Sequence, residues 1–152
     1  MEVKIKKAII TDVPIILDLI KGIAEYEKLL DQVETTKELL KQQLFEEKNA
    51  FVYLAYVNKK PVGFALYFYN FSTFKGRKGL YLEDLFVLPE YRSKGIGEQL
   101  FNTLIKEAKT NNCGRMEWVC LNWNEPAINF YKKKKAKSLD NWIIFRLDEN
   151  NF

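Results

Sequence analysis

The stretch Leu80 to Leu88, nearly unbroken in apolar residues and stopped by Pro89, constrains this chain more than any other part of it. A strand of that kind is covered on both faces, so it belongs inside a sheet with layers packed above and below. It leads through Tyr91 into the turn Arg92-Ser93-Lys94-Gly95-Ile96-Gly97. Apolar residues at helical spacing then predict a helix over Glu98 to Asn111. A strand, a glycine turn and a helix in direct succession form the centre of the molecule.

Val3 to Ile9 reads as a first strand. The helix after it is capped by Thr11 or Asp12, tolerates Pro14 in its first turn and carries Ile16, Leu19, Ile20 and Ile23 on one side. Thr35 and Glu38 have the spacing of a capping box ahead of a shorter helix bearing Leu39, Leu40, Leu44 and Phe45. Phe51 to Val57 and Val62 to Tyr69 read as a hairpin broken at Asn58, Lys59 and Lys60, and Asn70 to Gly79 as a polar loop. Beyond the central helix come a strand at Arg115 to Leu121, a helix opened by Pro126, and a closing strand at Trp142 to Leu147. The order β-α-α-β-β-β-α-β-α-β implies an α/β fold with one mixed, largely buried sheet covered by helices. At 152 residues, 47% hydrophobic and 29% charged, the chain is expected to fold as a single domain spanning 1–152.

The apolar stretch Ala8 to Ile20 is interrupted by Asp12, Pro14 and Asp18, so no signal peptide is expected. No apolar run approaches the roughly 18 residues of a membrane helix. A cytoplasmic protein with no membrane partner is the expectation. Cys113 and Cys120 are too few and too unclustered for a disulfide scaffold. Histidine is absent, which removes the commonest general base, the Ser-His-Asp and Cys-His systems and most zinc sites. Chemistry is left to carboxylates, Tyr, Lys, Cys or backbone, with no metal. Twenty acidic residues offset 24 basic ones, and no RNA-recognition signature occurs, so a nucleic-acid partner is not expected.

A helix start offers unsatisfied N–H groups and partial positive charge, and glycines let an anion approach that backbone closely. The turn at 92–97 therefore suits a phosphate. It is neither a dinucleotide fingerprint, which needs a third small residue where Leu100 stands, nor a P-loop, since Glu98 and Gln99 follow Gly97. Taken alone, a glycine pair here fits a plain tight turn equally well.

The run LEDLFVLPEYRSKGIGEQL resembles the acetyl-CoA signature of the GNAT acyltransferases. AEYEKL, VGFALY, NFSTF, LYLEDLFV and WNEPAINFY resemble, in order, segments of the spermidine/spermine (diamine) and thialysine N-acetyltransferases. The resemblance implies a GNAT fold and acetyl-CoA as co-substrate. It implies that Leu85, Phe86 and Val87 lie along the pantetheine arm, and that Arg92, Ser93, Lys94, Gly95, Ile96, Gly97 and Glu98 surround the pyrophosphate. Asn124, Glu125, Pro126, Ala127 and Tyr131 would also touch the cofactor. Tyr26, Glu27 and Glu83 would face the amine, with Trp118 and Val119 as a wall of its site. A homodimer is implied as well. Lys135 stands where these enzymes usually have glycine after the Tyr-bearing helix, and the segment before Trp142 is shorter than in the animal enzymes.

An alkylamine with a pKa near 10.4 is neutral in only about one molecule in 2500 at pH 7, a handicap of roughly 4.6 kcal/mol. A base must take that proton. Strict alternation places Glu83 on the face of Tyr81, Leu85 and Val87, with Asp84 opposite, and burial would tune such a carboxylate toward neutrality. Glu83 is the expected base, although either acid would also suit a buried ion pair. Tyr131, one turn beyond Ala127 and Ile128, is the candidate acid for a thiolate leaving group; a Tyr merely packed with its hydroxyl in water is the plainer alternative. The expected activity is direct acetyl transfer, in a ternary complex, to the primary amine of a small cationic acceptor such as a polyamine, diamine or thialysine-like molecule. The alternatives are a protein lysine or N-terminal acetyltransferase, and a non-catalytic module that binds CoA or nucleic acid.

Overall fold

A computed structural model describes residues 1–152 and separates them into two compact units, Met1–Val119 and Cys120–Phe152. In the first unit, strands β1 (Val3–Lys7), β2 (Phe51–Val57), β3 (Lys60–Ser72) and β4 (Arg77–Val87) pair antiparallel in chain order. A short β5 (Met116–Glu117) joins β4 in parallel, giving a five-stranded mixed sheet. Three helices accompany it: α1 (Val13–Tyr26), α2 (Lys37–Leu40, continuing as a π-helical turn to Glu46) and α3 (Ile96–Thr110). The second unit holds α4 (Glu125–Lys133) and a 3-10 turn at Glu149–Asn151. No helix is long and apolar enough to cross a membrane.

Helix α1 starts after Asp12, whose carboxylate accepts the Ile9 N–H at 2.8 Å, and Pro14 lies in its first turn, where a missing N–H costs nothing. Its buried stripe, Val13, Ile16, Leu17 and Leu19, packs with Val52, Leu54, Phe64, Leu66 and Phe86 from the sheet. Gly22 permits the approach, since a Cβ there would come within 2.8 Å of the Phe86 ring. Helix α3 covers the other face, where Leu100, Phe101 and Leu104 are buried and Glu107 accepts from the hydroxyls of Tyr53, Tyr67 and Tyr69 at 3.1, 3.3 and 3.5 Å. Lys7 completes that polar lock at 3.8 Å from Glu107.

Several boundaries move. The α2 cap is Thr36, one residue beyond the expected Thr35, and its hydroxyl accepts the Leu39 N–H at 3.2 Å. The loop expected over 70–79 shrinks to a four-residue turn, because Asn70, Phe71 and Ser72 stay in the ladder opposite Gly79, Lys78 and Arg77. The strand expected over Arg115 to Leu121 is only two residues long, and the closing strand over Trp142 to Leu147 does not form. In both places strand-forming side chains lack a neighbouring strand to complete the backbone hydrogen bonds.

The substitution of Lys135 for glycine leaves the end of α4 intact. Lys135 adopts φ +67°, while the Ala136 N–H reaches the Tyr131 carbonyl at 3.2 Å and the Lys135 N–H reaches Lys132 at 3.0 Å. That is a Schellman ending with lysine in the left-handed position that glycine ordinarily occupies.

Candidate functional site

The acids of the first unit gather where α1 ends against the middle of β4. Between Leu66 and Tyr67 of β3, the facing residues of β4 jump from Asp84 to Leu82, which makes Glu83 the extra residue of a β-bulge. The bulge reverses the alternation assumed from sequence. Leu80 and Leu82 lie opposite Tyr69 and Tyr67 on the α3 face, whereas Asp84 and Phe86 lie opposite Leu66 and Phe64 on the α1 face. Tyr81 and Leu85 therefore take opposite faces, and Glu83 projects exposed from the bulge.

Glu27 caps the C-terminus of α1, adding its charge to the negative end of the helix dipole. Burial first, and then the charge of Glu83, raises its carboxyl above the usual range. Burial first, and then Glu83 and Glu27, pushes Asp84 up to about 7. The three carboxylates thus sense one another, and Asp84 is poised to exchange a proton near neutrality. Sequence reasoning could not identify Asp84, because Leu80, Leu82 and Phe86 are apolar on whichever face they fall. The Tyr81 hydroxyl, raised by burial and by Glu83 and Glu117, borders the same acids.

Beyond the bulge, β4 pairs with β3 on one edge only. Its contact with β5 ends at Tyr81 opposite Glu117, so the other edge of Leu85, Phe86 and Val87 carries no strand. Backbone N–H and C=O groups along that edge are available to an extended amide-bearing ligand.

The turn that follows has the form of an anion nest. Ser93 and Gly95 both hold positive φ, +59° and +81°, with Gly95 capping α3. The Arg92 N–H donates to the Pro89 carbonyl at 3.2 Å and the Gln99 N–H to Gly95 at 3.1 Å, and between them Ser93, Lys94, Gly95, Ile96 and Gly97 present N–H groups without backbone acceptors. A Cβ at Gly95 would meet nothing within 4 Å, and one at Gly97 only Val87 at 3.9 Å. The cradle is thus open to a group as large as a phosphate. Lys60 and Lys94 lie 5.4 and 5.6 Å from the Tyr91 ring, adding two cations beside it. Lys60 escaped sequence analysis because the hairpin carries it there from another element. The donor set fits a polyphosphate.

Arg92 faces inward. Its Nε donates to the Val87 carbonyl at 2.9 Å, and its guanidinium stacks 4.3 Å from the Tyr26 ring and 5.3 Å from Phe86. The side chain expected at the pyrophosphate therefore ties the turn to the end of α1, while Tyr26 serves as its stacking platform. Trp118 packs edge-on to Phe101 at 5.3 Å, and Val119 is exposed.

In the second unit, Asn124 caps α4, accepting the Ala127 N–H at 3.4 Å, with Glu125 and Pro126 in the first turn. Tyr131 lies on the second turn, its ring edge-on to Phe130 at 5.5 Å. Burial raises the Cys113 thiol, and Cys120 is exposed with its Sγ 3.4 Å from the Leu121 carbonyl.

The model of the Acetyltransferase (GNAT) family matches residues 17–135. A thialysine N-epsilon-acetyltransferase of Bos taurus is 37% identical over 145 residues, covering 88% of this chain and 85% of the relative. The human spermidine/spermine N(1)-acetyltransferase-like protein 1 is 35% identical over 95% of this chain, which spans 22% of that longer protein. Among solved structures, an integron cassette protein from the mobile metagenome of V. cholerae superposes with a TM-score of 0.81 at 30% identity, covering 99% of this chain and 95% of the other.

Proposed function

From the premise that this chain belongs to the Acetyltransferase (GNAT) family and is an N-acetyltransferase, we propose that it transfers acetyl from acetyl-CoA to the primary amine of a small cationic acceptor, the two bound together. The observation that carries the acceptor class is the cluster of Glu27, Glu83 and Asp84 beside the helix terminus of α1. Three acids in a partly buried site attract an ammonium and repel anionic competitors. The relatives named for thialysine and for spermidine/spermine point to acceptors of the same charge.

When bound, acetyl-CoA supplies an acetyl thioester. The amides of Ser93 to Glu98 would hold its pyrophosphate, with Lys94 and Lys60 adding charge and Arg92 keeping the turn in register with α1. The free edge of Leu85, Phe86 and Val87 would align the extended arm, and an N–H from that edge would polarise the acyl oxygen. Asn124 to Ala127 extend the cofactor contacts. Tyr26, Trp118 and Val119 border the acceptor. Glu27 and Glu83 hold the ammonium, and Asp84 takes its proton so that the nitrogen lone pair can attack the acyl carbon. Tyr131 would give its hydroxyl proton to the departing sulfur, and the second proton, released by the acylated nitrogen, would return through solvent to the phenolate. No protein nucleophile is needed. Glu83 stands more exposed to an arriving amine, which favours a second assignment with Glu83 as base; the two are separated by which acid, when removed, abolishes the pH dependence.

The test is CoA-thiol release with spermidine, diamines, thialysine, lysine and a lysine-bearing peptide, alongside calorimetry with CoA. Turnover confined to small amines and measurable CoA heat are expected. Turnover confined to the peptide would move the acceptor to protein, and absent CoA heat would remove the donor. Two copies per assembly and a cytoplasmic location complete the proposal, checked by light scattering and by fractionation of the producing cells.

A further inference from the structure

The sheet face that α1 covers continues past the end of that helix. Leu80 and Leu82 point to α3, so Tyr81 between them faces the other way, and its ring lies 5.0 Å from that of Phe68, its partner on β3. Both rings are half-buried. Residues side by side on neighbouring strands share a face, which sets Glu117 of β5 beside Tyr81. Arg115 precedes Glu117 by one alternation of the strand and shares that face, while its carbonyl accepts the Leu80 N–H at 3.0 Å. All of these residues belong to the first unit.

Arg115 and Glu117 stand as opposite charges side by side. Their Nε and Oε1 atoms are 3.8 Å apart, too far for a hydrogen bond, and the side chains are 43% and 36% exposed. The guanidinium is held from behind: its Nη2 donates to the buried Ser72 hydroxyl, which also accepts the Lys75 N–H at 3.1 Å. A cation fixed beside a cluster of acids opposes an acceptor that carries only ammonium groups, and it suits one that brings a carboxylate of its own. Tyr81 links this pair to the acids described above, since its hydroxyl is raised by burial first, then by the charge of Glu83 and then by that of Glu117. Asp84 shares the face of Tyr81 on the far side of the bulge, about 10 Å along the strand by its rise per residue. The side chains of Asp84 and Glu117 reach into that interval and leave the length of a short alkyl chain, floored by the Phe68 and Tyr81 rings.

We propose that Arg115 and Glu117 determine acceptor specificity by holding the head group of an α-amino acid whose side chain ends in a primary amine. Arg115 takes the α-carboxylate, Glu117 takes the α-ammonium, and the methylenes lie over Phe68 and Tyr81, which delivers the side-chain amine to Asp84. The assignment rests on the acetyltransferase reading of the acids at the bulge and narrows its acceptor class. On binding, the two side chains exchange their loose mutual contact for charge-assisted hydrogen bonds to the ligand, and the planar guanidinium matches a carboxylate in both shape and charge. Discrimination follows from the pairing. An acceptor lacking the carboxylate leaves Arg115 beside the incoming ammonium groups with nothing to offset it, and one lacking the α-amine leaves Glu117 without a donor.

The test is CoA-thiol release by the full-length chain with matched acceptors: lysine and ornithine, the diamine left by decarboxylating each, and the ω-amino acid left by removing the α-amine of each. For the wild type, kcat/KM for the better amino acid should exceed that of its diamine and of its ω-amino acid by about 10- to 100-fold, carried mainly in KM. Arg115→Gln should bring amino acid and diamine within about threefold of each other, and Glu117→Gln should do the same for amino acid and ω-amino acid. Arg115→Lys, which keeps the charge and loses the fork, should restore part of the discrimination. A wild type that turns over the diamines as well as the amino acids would overturn the assignment and leave the acetyltransferase reading standing. So would a preference for the amino acid that survives Arg115→Gln in protein with the wild-type urea midpoint. Should that variant not fold, the wild-type acceptor series and Glu117→Gln decide the question by themselves. No turnover of any small amine, with no heat from CoA, would remove the acetyltransferase reading and this assignment with it.

Discussion

Asp84 is the acid whose surroundings shift its ionisation furthest. A carboxyl moved from about 4 to about 7 is half ionised at neutral pH, where a general base is most effective. Asp84→Asn should lower kcat/KM for the amine by about 10²- to 10⁴-fold and remove the limb of the rate profile that rises through pH 7. Glu83→Gln should raise the amine KM and leave that limb in place; a flattened profile in Glu83→Gln alone would transfer the base role to Glu83. The same shift has a stability consequence. Between the unfolded and folded pKa values the native state holds a proton that the unfolded chain has lost, so stability falls as pH rises from about 4 to 7. Asp84→Asn should accordingly be more stable than the native chain at pH 8, on the order of 2 kcal/mol, with the gain vanishing toward pH 4. Urea unfolding at both pH values measures this. Arg92 acts through others. Arg92→Gln should keep CoA affinity within about threefold by calorimetry, because backbone amides supply the cradle, and should raise the amine KM about tenfold by releasing Tyr26 and Glu27. A collapse of CoA affinity with an unchanged amine KM would show that the guanidinium reaches the phosphates.

At the scale of elements, the bulge in β4 and the left-handed residues at turns determine where side chains point. The Asn58-Lys59 turn joins β2 to β3 with φ of +49° and +66°, the mirror-image geometry in which the second position ordinarily carries glycine. Lys59→Gly should therefore stabilise the fold by about 0.5–1 kcal/mol, read as a raised urea midpoint with unchanged slope and unchanged activity. The existence of α1, α3, α4 and the β2–β3 hairpin was legible from apolar spacing and punctuation, because those signals are local. The bulge was not legible: Glu83 is polar and its neighbours apolar in either register, and only the pairing of Leu66 with Asp84 and of Tyr67 with Leu82 reveals the slip. The inward turn of Arg92 was equally hidden, since Tyr26 lies 66 residues earlier in the chain.

At the scale of the whole molecule, the sheet of the first unit ends at β5, which pairs with β4 through two residues only. The sequence by itself determined the kinds of element, the phosphate-accepting turn at 92–97 and the exclusion of histidine chemistry, because each depends on residue identity at short spacing. Family membership was also readable there, in motifs spread in order along the chain. Tertiary structure alone decided which acid is poised near neutrality, what Arg92 holds, and which strands lack neighbours. Those properties depend on desolvation and pairing between segments distant in the chain, and no local pattern encodes the dielectric or the partner that folding brings to a side chain.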